Sequence, residues 1–198
     1  MRATGVRVAD EPSGVTRSLH RVRAAMVGLR DRLDGGMHPR RRRRAIGFVR
    51  DRRPSRLLFV CLGNICRSPF AEALAKADGL SAESVGFIGP GRNPPREAIS
   101  AAGRLGVEHG DHLSREITRA DVDAADLIVV FDRFNARRVR SAFPAGSSKM
   151  VWLGDLDPVW TGKRAIIDPW GRGDDFFDRT FERIQRCVAE LSEALSVE

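Results

Sequence analysis

Two side chains six residues apart, Cys61 and Arg67, have the chemistry to bind and attack a phosphate group. A thiolate is a strong nucleophile, and a guanidinium can hold two oxygens of an oxyanion with its planar fork. The spacing alone is a weak signal, because arginine is abundant in this chain and the pair equally fits a buried strand cysteine and a surface charge. The neighbouring residues therefore decide the interpretation.

The residues around this pair predict a strand, a tight loop and the start of a helix. Leu57 to Val60 is a short apolar run typical of a buried strand. Gly63 and Asn64 tolerate positive φ, and Ser68-Pro69 is typical of a helix N-cap and the first helical residue. Such a loop directs several backbone N–H groups at one point, which makes an anion site. The same field favours the thiolate form of Cys61.

Apolar runs and periodic segments alternate along the rest of the chain. Strands are predicted at Leu57–Val60, Ser84–Ile88, Asp126–Phe131 and Lys149–Leu153, and helices at Pro69–Asp78, Arg96–Leu105, Asp132–Ser141 and Phe177–Leu195. Strands separated by helices predict a doubly wound α/β fold with a central four-stranded parallel sheet and helices on both faces. Ligands bind at the carboxyl ends of such strands, which is where Cys61 stands.

Charge divides the chain of 198 residues into two parts. The formal net charge is +8, but residues 1–56 carry 16 arginines against 5 acidic residues, or +11, and the remainder carries −3. This change of composition near Pro54 predicts a basic N-terminal extension at 1–55 and a catalytic domain at 56–198.

The extension contains a helical apolar stripe, a predicted helix break at Gly35-Gly36 and a run of five arginines, Arg40 to Arg44. One interpretation is that residues 15–44 visit an anionic membrane surface; the alternatives are a disordered or self-packing tail and, less favoured, nucleic-acid contact. The apolar stripe consists of Val15, Leu19, Val22, Met26, Leu29 and Leu33.

Several classes of protein are not expected from this composition. Three cysteines do not suit a dense disulfide framework, and no apolar run approaches the roughly 18 residues that a membrane span needs. Four scattered histidines give no metal-ligand spacing, and no Walker-type loop predicts a nucleotide. We expect a cytoplasmic protein without metal or cofactor, and the membrane interpretation of residues 15–44 would make it a peripheral membrane protein.

Hydrolysis of a phosphate monoester also requires a proton for the leaving oxygen, and a carboxylic acid on a loop can supply it. Asp168-Pro169-Trp170 fits, because proline stiffens the turn and the indole gives an apolar wall for an aromatic ring. Asp-Pro is nevertheless a common turn dipeptide, and Asp157-Pro158 lies nearby.

The segment from Cys61 to Pro69, CLGNICRSP, resembles the phosphate loop of the low-molecular-weight protein tyrosine phosphatases. The resemblance extends from about Arg56 to the C-terminus and implies phosphotyrosine hydrolysis without a cofactor, through a phosphocysteine on Cys61. It implies that Arg67 and the loop amides hold the phosphate. The family carries its general acid in an Asp-Pro-aromatic segment before the last helix, which favours Asp168 over Asp157.

The resemblance also assigns supporting roles, and it places Asp132 and Asn135 at structural positions. Family members usually have tyrosine after the proline of the acid loop, whereas this chain has Trp170 and no tyrosine at all. Cys66 is expected either to form a protective disulfide with Cys61 or to be a small buried residue. The implied phosphate-binding residues are Leu62, Gly63, Asn64, Ile65, Cys66 and Arg67; the supporting residues are Ser68, Ser84 and His112, with Asn64 paired to His112; and the pocket walls are Phe87 and Trp170.

Three rival functions remain. A thiol-coupled arsenate reductase on this fold needs a relay of cysteines, and none lies between Cys66 and Cys187, which is expected to be a core or partly buried thiol. An arsenate reductase that uses a low-molecular-weight thiol needs no relay and stays open, although Asp168-Pro169-Trp170 favours an ester leaving group. In phosphoarginine phosphatases of the family, threonine tends to stand where this chain has Ile65. A phosphate-binding module without activity is the rival from another class. The resemblance implies a phosphotyrosine-bearing protein as partner, and a bacterial tyrosine kinase is a candidate.

Overall fold

The computed structural model describes residues 35–108 and 111–196, and its centre is a parallel sheet of four strands in the order β2-β1-β3-β4. The predicted α/β fold is confirmed. The strands are β1 (Leu57–Val60), β2 (Ala82–Val85), β3 (Leu127–Val130) and β4 (Met150–Trp152). The helices are α1 (35–52), α2 (Arg67–Ala77), α3 (Arg96–Arg104), α4 (Arg119–Ala124), α5 (Arg133–Ala142) and α6 (Asp174–Ser196), with 3₁₀ turns at Pro144–Lys149 and Leu153–Asp155.

Helices cover both faces of the sheet, because successive side chains of the apolar strands point to opposite sides. Leu57 and Phe59 of β1 face a core that α1, α2, α3 and α6 complete, whereas Leu58 and Val60 face a second core completed by α4 and α5. Both layers fix β1, so the end of this strand, where Cys61 begins the loop, is rigidly placed.

The start of α2 differs from the sequence prediction. The helix begins at Arg67, and its N-cap is Cys66, which makes no side-chain capping bond. Ser68 is therefore not the N-cap, because its hydroxyl points into the loop and contacts the sulfur of Cys61.

Strand β2 is shorter than predicted and ends at Val85 rather than Ile88. Beyond it, Gly86 forms a bridge with Glu116, and the backbone N–H of Phe87 donates to the carbonyl of Leu62 at 2.7 Å. These bonds turn the chain towards the phosphate loop instead of continuing the ladder.

The predicted helix break at Gly35-Gly36 lies at the edge of the described residues, where both glycines are helical, and the apolar stripe before them lies outside those residues. Residues 35–52 form one helix, α1, that includes the arginine run. Ala45 and Val49 of α1 are buried in the core, and a Cβ on Gly35 would lie 3.0 Å from the indole nitrogen of Trp160. Glycine costs about 1 kcal/mol in a helix, and packing against the domain offsets this cost.

The five consecutive arginines of α1, Arg40 to Arg44, differ in burial and partners. The Nε of Arg41 lies 3.6 Å from Oδ1 of Asp155, and Arg42 forms an ion pair with Glu190 of α6. Arg40, Arg43 and Arg44 are exposed. The apolar stripe from Val15 to Leu33 lies outside the described residues. Within the described ranges, no helix combines the length and apolarity that crossing a bilayer requires.

Candidate active site

The sulfur of Cys61 lies at the carboxyl end of β1, against the first turn of α2. The backbone N–H of Asn64 donates to Sγ at 3.2 Å, and the hydroxyl of Ser68 lies 3.0 Å from it. Cys61 is 3% exposed. A negatively charged sulfur is stabilised by such donors, so the contacts suit a nucleophilic thiolate.

Asn64 holds the loop in shape with every polar group it has. Its φ is +52°, a left-handed conformation that asparagine tolerates better than most residues. Its Nδ2 donates to the hydroxyls of Ser84 at 2.8 Å and Ser68 at 3.0 Å. Its Oδ1 accepts from the backbone N–H of Arg115 at 2.9 Å, and Nε2 of His112 donates to its carbonyl at 2.8 Å. The structure thus brings Asn64, Ser68, Ser84 and His112 together, including the expected contact of Asn64 with His112.

Arg67 is 1% exposed and lies at the centre of an acidic cluster. Its Nη1 donates to Asp132 at 2.7 Å and to the carbonyl of Ile166 at 2.9 Å, and its Nη2 donates to Asp168 at 2.6 Å. Burial alone would lower the pKa of this guanidinium, but Asp168, Cys61 and Asp132 together raise it above its ordinary value. Arg67 is therefore a permanent cation beside the sulfur.

The Nε of Arg67 is buried, and no atom of the described residues accepts a hydrogen bond from it. Buried polar groups are rarely left unpaired outside functional sites. Nε and Nη2 form one edge of the guanidinium, so this edge is the one suited to bidentate binding of an oxyanion.

Asp132 has a direct role at the site that the sequence interpretation did not predict. As the N-cap of α5, it accepts from the backbone N–H of Asn135 at 2.8 Å with one oxygen, while the other oxygen binds Arg67. Capping fixes the carboxylate, and the carboxylate fixes the guanidinium. An Asp directly after a buried strand and before a helix is the sequence signal that could have indicated this contact.

The two Asp-Pro dipeptides occupy different environments. Asp168 lines the cavity at Cys61, and one of its oxygens accepts from the backbone N–H of Trp170 at 3.2 Å. Asp157 is fully buried elsewhere, 2.8 Å from Nε of Arg183 and 3.5 Å from Nε of Arg186. Only Asp168 can reach a ligand bound at the sulfur.

A cavity of about 110 Å³ opens above the loop. Trp170 lines it as predicted, but the prediction for Phe87 is wrong, because β2 ends early and the ring of Phe87 packs against the core on the α5 side. Ile88, 43% exposed, takes its place. The lining residues are Cys61, Leu62, Gly63, Ile65, Cys66, Ile88, Arg92, Asp168 and Trp170.

Arg92 is a lining residue that sequence reasoning missed. Its Nη2 donates to the carbonyls of Gly63 and Ile88, both at 2.9 Å, and its Nε donates to the carbonyl of Gly89 at 2.7 Å. A Cβ at Gly63 would lie 3.0 Å from this guanidinium. Arg92 therefore ties the phosphate loop to the loop after β2. One arginine in a glycine-rich loop carries no sequence signal of such a contact.

All three cysteines are free and buried. Burial, followed by the nearby charge of Cys61, raises the pKa of the Cys66 thiol far above its ordinary value. Burial likewise raises the pKa of Cys187, which lies in the core as expected. At neutral pH both remain neutral thiols, so neither competes with Cys61 as a nucleophile.

Several proteins that are similar to this chain are phosphatases. The chain is 34% identical over 137 residues to the low molecular weight protein-tyrosine-phosphatase Ptp of Acinetobacter johnsonii, which covers 68% of this chain and 93% of that protein. The tyrosine phosphatase AmsI of Erwinia amylovora superposes with a TM-score of 0.67 at 28% identity, over 73% of this chain and 95% of that one. The YwlE arginine phosphatase of Geobacillus stearothermophilus superposes with a TM-score of 0.64 at 26% identity, over 71% of this chain and 92% of that one.

A family-wide comparison covers most of the chain. The model of the family described as "Low molecular weight phosphotyrosine protein phosphatase" matches residues 56–198, from the start of β1 through α6. The matched range includes Cys61, Arg67 and the Asp168-Pro169-Trp170 segment. The chain belongs to the low molecular weight phosphotyrosine protein phosphatase family.

Proposed function

We propose that the protein hydrolyses phosphotyrosine through a phosphocysteine intermediate, with Cys61 as nucleophile, Arg67 as phosphate clamp and Asp168 as general acid. The observation that carries this proposal is that Cys61 and Asp168 line one small cavity and that Asp168 is bound to the buried Arg67. The Nη2 of Arg67 donates to the carboxylate of Asp168 at 2.6 Å. The guanidinium of Arg67 also interacts electrostatically with Cys61.

In the first step, the Cys61 thiolate attacks phosphorus in line with the bond to the phenolic oxygen. A sulfur–phosphorus bond forms and the phosphorus–oxygen bond breaks. The backbone N–H of Asn64 and the hydroxyl of Ser68 support the sulfur as an anion before the attack. The backbone amides of residues 62–66 surround the phosphate oxygens in this proposal.

Arg67 binds the phosphate through its Nε–Nη2 edge. A phosphate oxygen that binds at Nη2 takes over the hydrogen bond that Asp168 makes there at 2.6 Å, and Nε acquires a partner. Asp132 and the carbonyl of Ile166 keep their hold on Nη1, so the guanidinium stays oriented. Substrate binding in this way frees the Asp168 carboxyl group for proton transfer.

Asp168 gives its proton to the leaving phenolate and is left as a carboxylate. In the second step it takes a proton from water, whose oxygen attacks phosphorus while the sulfur–phosphorus bond breaks. The products are phosphate and the regenerated Cys61 thiolate. The bond from the N–H of Trp170 to the second oxygen of Asp168 keeps the acid over the cavity.

The cavity walls favour an aryl leaving group. Ile65, Ile88 and Trp170 supply apolar surface on which an aromatic ring packs. Phosphoarginine is the second candidate, because the YwlE arginine phosphatase is similar in structure. Its leaving group is a guanidine, which becomes cationic on protonation and would meet the guanidinium of Arg92 across the same cavity. We therefore place phosphotyrosine first.

A substrate panel tests the assignment: a small aryl phosphate, phosphotyrosine, phosphoserine and phosphoarginine peptides, and arsenate with thiol. We expect hydrolysis of the aryl phosphate and the phosphotyrosine peptide. Cys61→Ser removes the nucleophile but leaves the clamp, so turnover is lost while vanadate still binds. Cys187→Ser, a change in the core, is the matched control and retains activity. Turnover by Cys61→Ser would overturn the mechanism, and preference for phosphoarginine would overturn the substrate.

The physiological partner in this proposal is a phosphotyrosine-bearing protein, with a bacterial tyrosine kinase as the family-based candidate.

We also propose that the enzyme is cytoplasmic and visits anionic membrane surfaces through its basic extension. The exposed arginines Arg40, Arg43 and Arg44 of α1 support the second proposal. Near an anionic bilayer each is worth about 1 kcal/mol.

A further inference from the structure

Aromatic and cationic side chains of α5 meet the loop after β2 next to the cavity, although none of them lines it. Arg138 of α5 lies over the ring of Phe87, 5.2 Å from its centroid, and over the ring of Phe134, 5.4 Å from its centroid. Phe134 is 52% exposed, so its ring is accessible to a partner. We call Phe87, Phe134, Arg137 and Arg138 the rim patch.

Two connections place the rim patch beside the phosphate site. The backbone N–H of Phe87 donates to the carbonyl of Leu62, a residue that lines the cavity. Asp132, which caps the α5 helix that carries the patch, binds Arg67 directly. We therefore expect residues that flank a phosphotyrosine bound at Cys61 to reach this surface.

The rim patch is strongly cationic. Helix α5 contains Arg133, Arg137, Arg138 and Arg140 and no acidic residue. Among the described residues, no carboxylate forms an ion pair with these four arginines, whereas Arg119 of the nearby α4 pairs with Asp123. Arg138 is held by two rings instead of a carboxylate, which leaves its N–H groups able to bind an anion.

We infer that the rim patch selects phosphotyrosine flanked by aspartate or glutamate, with Arg137 and Arg138 as the specificity-determining residues. Complementary charge at the edge of a site steers and orients a partner. The two rings keep Arg138 in position and give the substrate chain an apolar contact. This inference rests on the proposed function and adds to it the class of protein segment that the enzyme prefers.

The test compares two phosphotyrosine peptides of equal length, one flanked by Asp and Glu and the other by Asn and Gln. Full-length protein is expected to favour the acidic peptide, mainly through KM. The double variant Arg137→Ala/Arg138→Ala should lose roughly 3- to 10-fold of this preference, the worth of two exposed ion pairs. Arg138→Glu should reverse it. Turnover of a small aryl phosphate by each protein supplies the reference rate.

Arg119→Ala is the matched control, because it removes an exposed arginine from α4 without touching the rim patch. It should keep the wild-type preference for the acidic peptide. High salt should weaken the wild-type preference, since exposed charges are screened. An equal preference in the wild type and the double variant, or none in the wild type, would overturn the inference.

Binding separates this inference from the proposed function. In the Cys61→Ser background, the dissociation constants of the two peptides report the rim patch without any turnover. If the wild type hydrolyses no aryl phosphate, the proposed function fails. If the acidic and neutral peptides bind Cys61→Ser equally well, the rim patch has no role in selection.

Discussion

Asp168 and Asp157 have the same side chain and are both followed by proline, but their different environments predict different roles. Asp168 is partly exposed at the cavity, and its side-chain contacts are with Arg67 and the N–H of Trp170. Asp157 is fully buried with Arg183, whose Nη groups also donate to the carbonyls of Lys163 and Ala165. The Asp157–Arg183 pair thus fixes the segment that leads into the acid loop.

Substitution to asparagine should separate these tasks. Asp168→Asn removes the proton donor, so kcat should fall by roughly 10²- to 10⁴-fold with little change in stability. The loss should shrink for substrates whose leaving phenol is acidic. Asp157→Asn leaves Arg183 buried without a counter-ion, so we expect it to lower the free energy of unfolding by about 3–5 kcal/mol.

Urea unfolding and steady-state kinetics on both variants provide the measurement. A kcat loss in Asp157→Asn larger than that in Asp168→Asn would mean that the proton donor has been assigned to the wrong Asp-Pro.

Arg92 is a positioning residue, because its hydrogen bonds go to backbone carbonyls of two loops. Hydrogen bonds from a charged donor contribute about 1.5–3 kcal/mol each. Arg92→Ala should therefore reduce kcat/KM for a small aryl phosphate about 10-fold or more, and Arg92→Lys should not restore it, since one ammonium cannot match the fork that reaches Gly63, Ile88 and Gly89.

Vanadate affinity, measured beside the kinetics, reports whether the phosphate loop keeps its shape. Arg96→Ala, at the exposed start of α3, is the control and should be silent. Unchanged kcat/KM and vanadate affinity in Arg92→Ala would show that the loops hold without this arginine.

At the scale of elements, α1 is part of the folded unit although the family match begins after it. The Nε2 of His38 lies 3.0 Å from the carbonyl of Asp157, and Arg41 lies near Asp155. Ala45 and Val49 belong to the main core. The helix therefore packs on the same segment, 155–160, that precedes the acid loop.

Shortening a core side chain of α1 should destabilise the whole domain. Val49 is fully buried, so Val49→Ala should lower the free energy of unfolding by about 1–3 kcal/mol. Arg43→Ala, on the exposed face, is the matched control and should change it little. Equal unfolding curves for Val49→Ala and the wild type would indicate that α1 detaches from the domain in solution. Removal of residues 1–54 deletes the buried His38, Ala45 and Val49 but no proposed site residue, so it should reduce stability more than catalysis.

For the whole molecule, the division of charge predicts where the enzyme resides. Residues 1–56 carry +11 and the remainder −3. The full-length protein should sediment with anionic liposomes at low salt and be released at high salt, because exposed charges are screened. Combined substitution of Arg40, Arg43 and Arg44 by alanine should weaken this binding by about 3 kcal/mol, or roughly 100-fold.

Neutral liposomes are the control for the electrostatic origin of this binding. Full-length protein that stays in the supernatant with anionic liposomes at low salt would disprove the membrane proposal. Binding that the triple substitution leaves unchanged would exclude the exposed face of α1 as the contact.

Sequence by itself predicted β1, the loop that follows it and four of the six helices in the described residues, namely α2, α3, α5 and α6. Leu57–Val60 formed the buried strand as predicted, because a run that is apolar at every position suits a strand covered on both faces. The loop from Cys61 to Arg67 was recognisable because its residues lie close together in the chain. For this strand and this loop, the pattern of neighbouring residues was sufficient for the prediction.

Tertiary structure decided everything that depends on distant contacts. Asp132 contacts Arg67, which lies 65 residues earlier in the chain, and Arg92 contacts Gly63, which lies 29 residues earlier. Phe87 does not line the cavity as predicted, because β2 ends at Val85. Gly35 and Gly36 are helical at the start of the described α1 despite their low helix propensity, and α1 packs on Trp160 and the core. Propensities measure the conformation of a segment alone, whereas these outcomes come from partners that only the folded chain brings within contact distance.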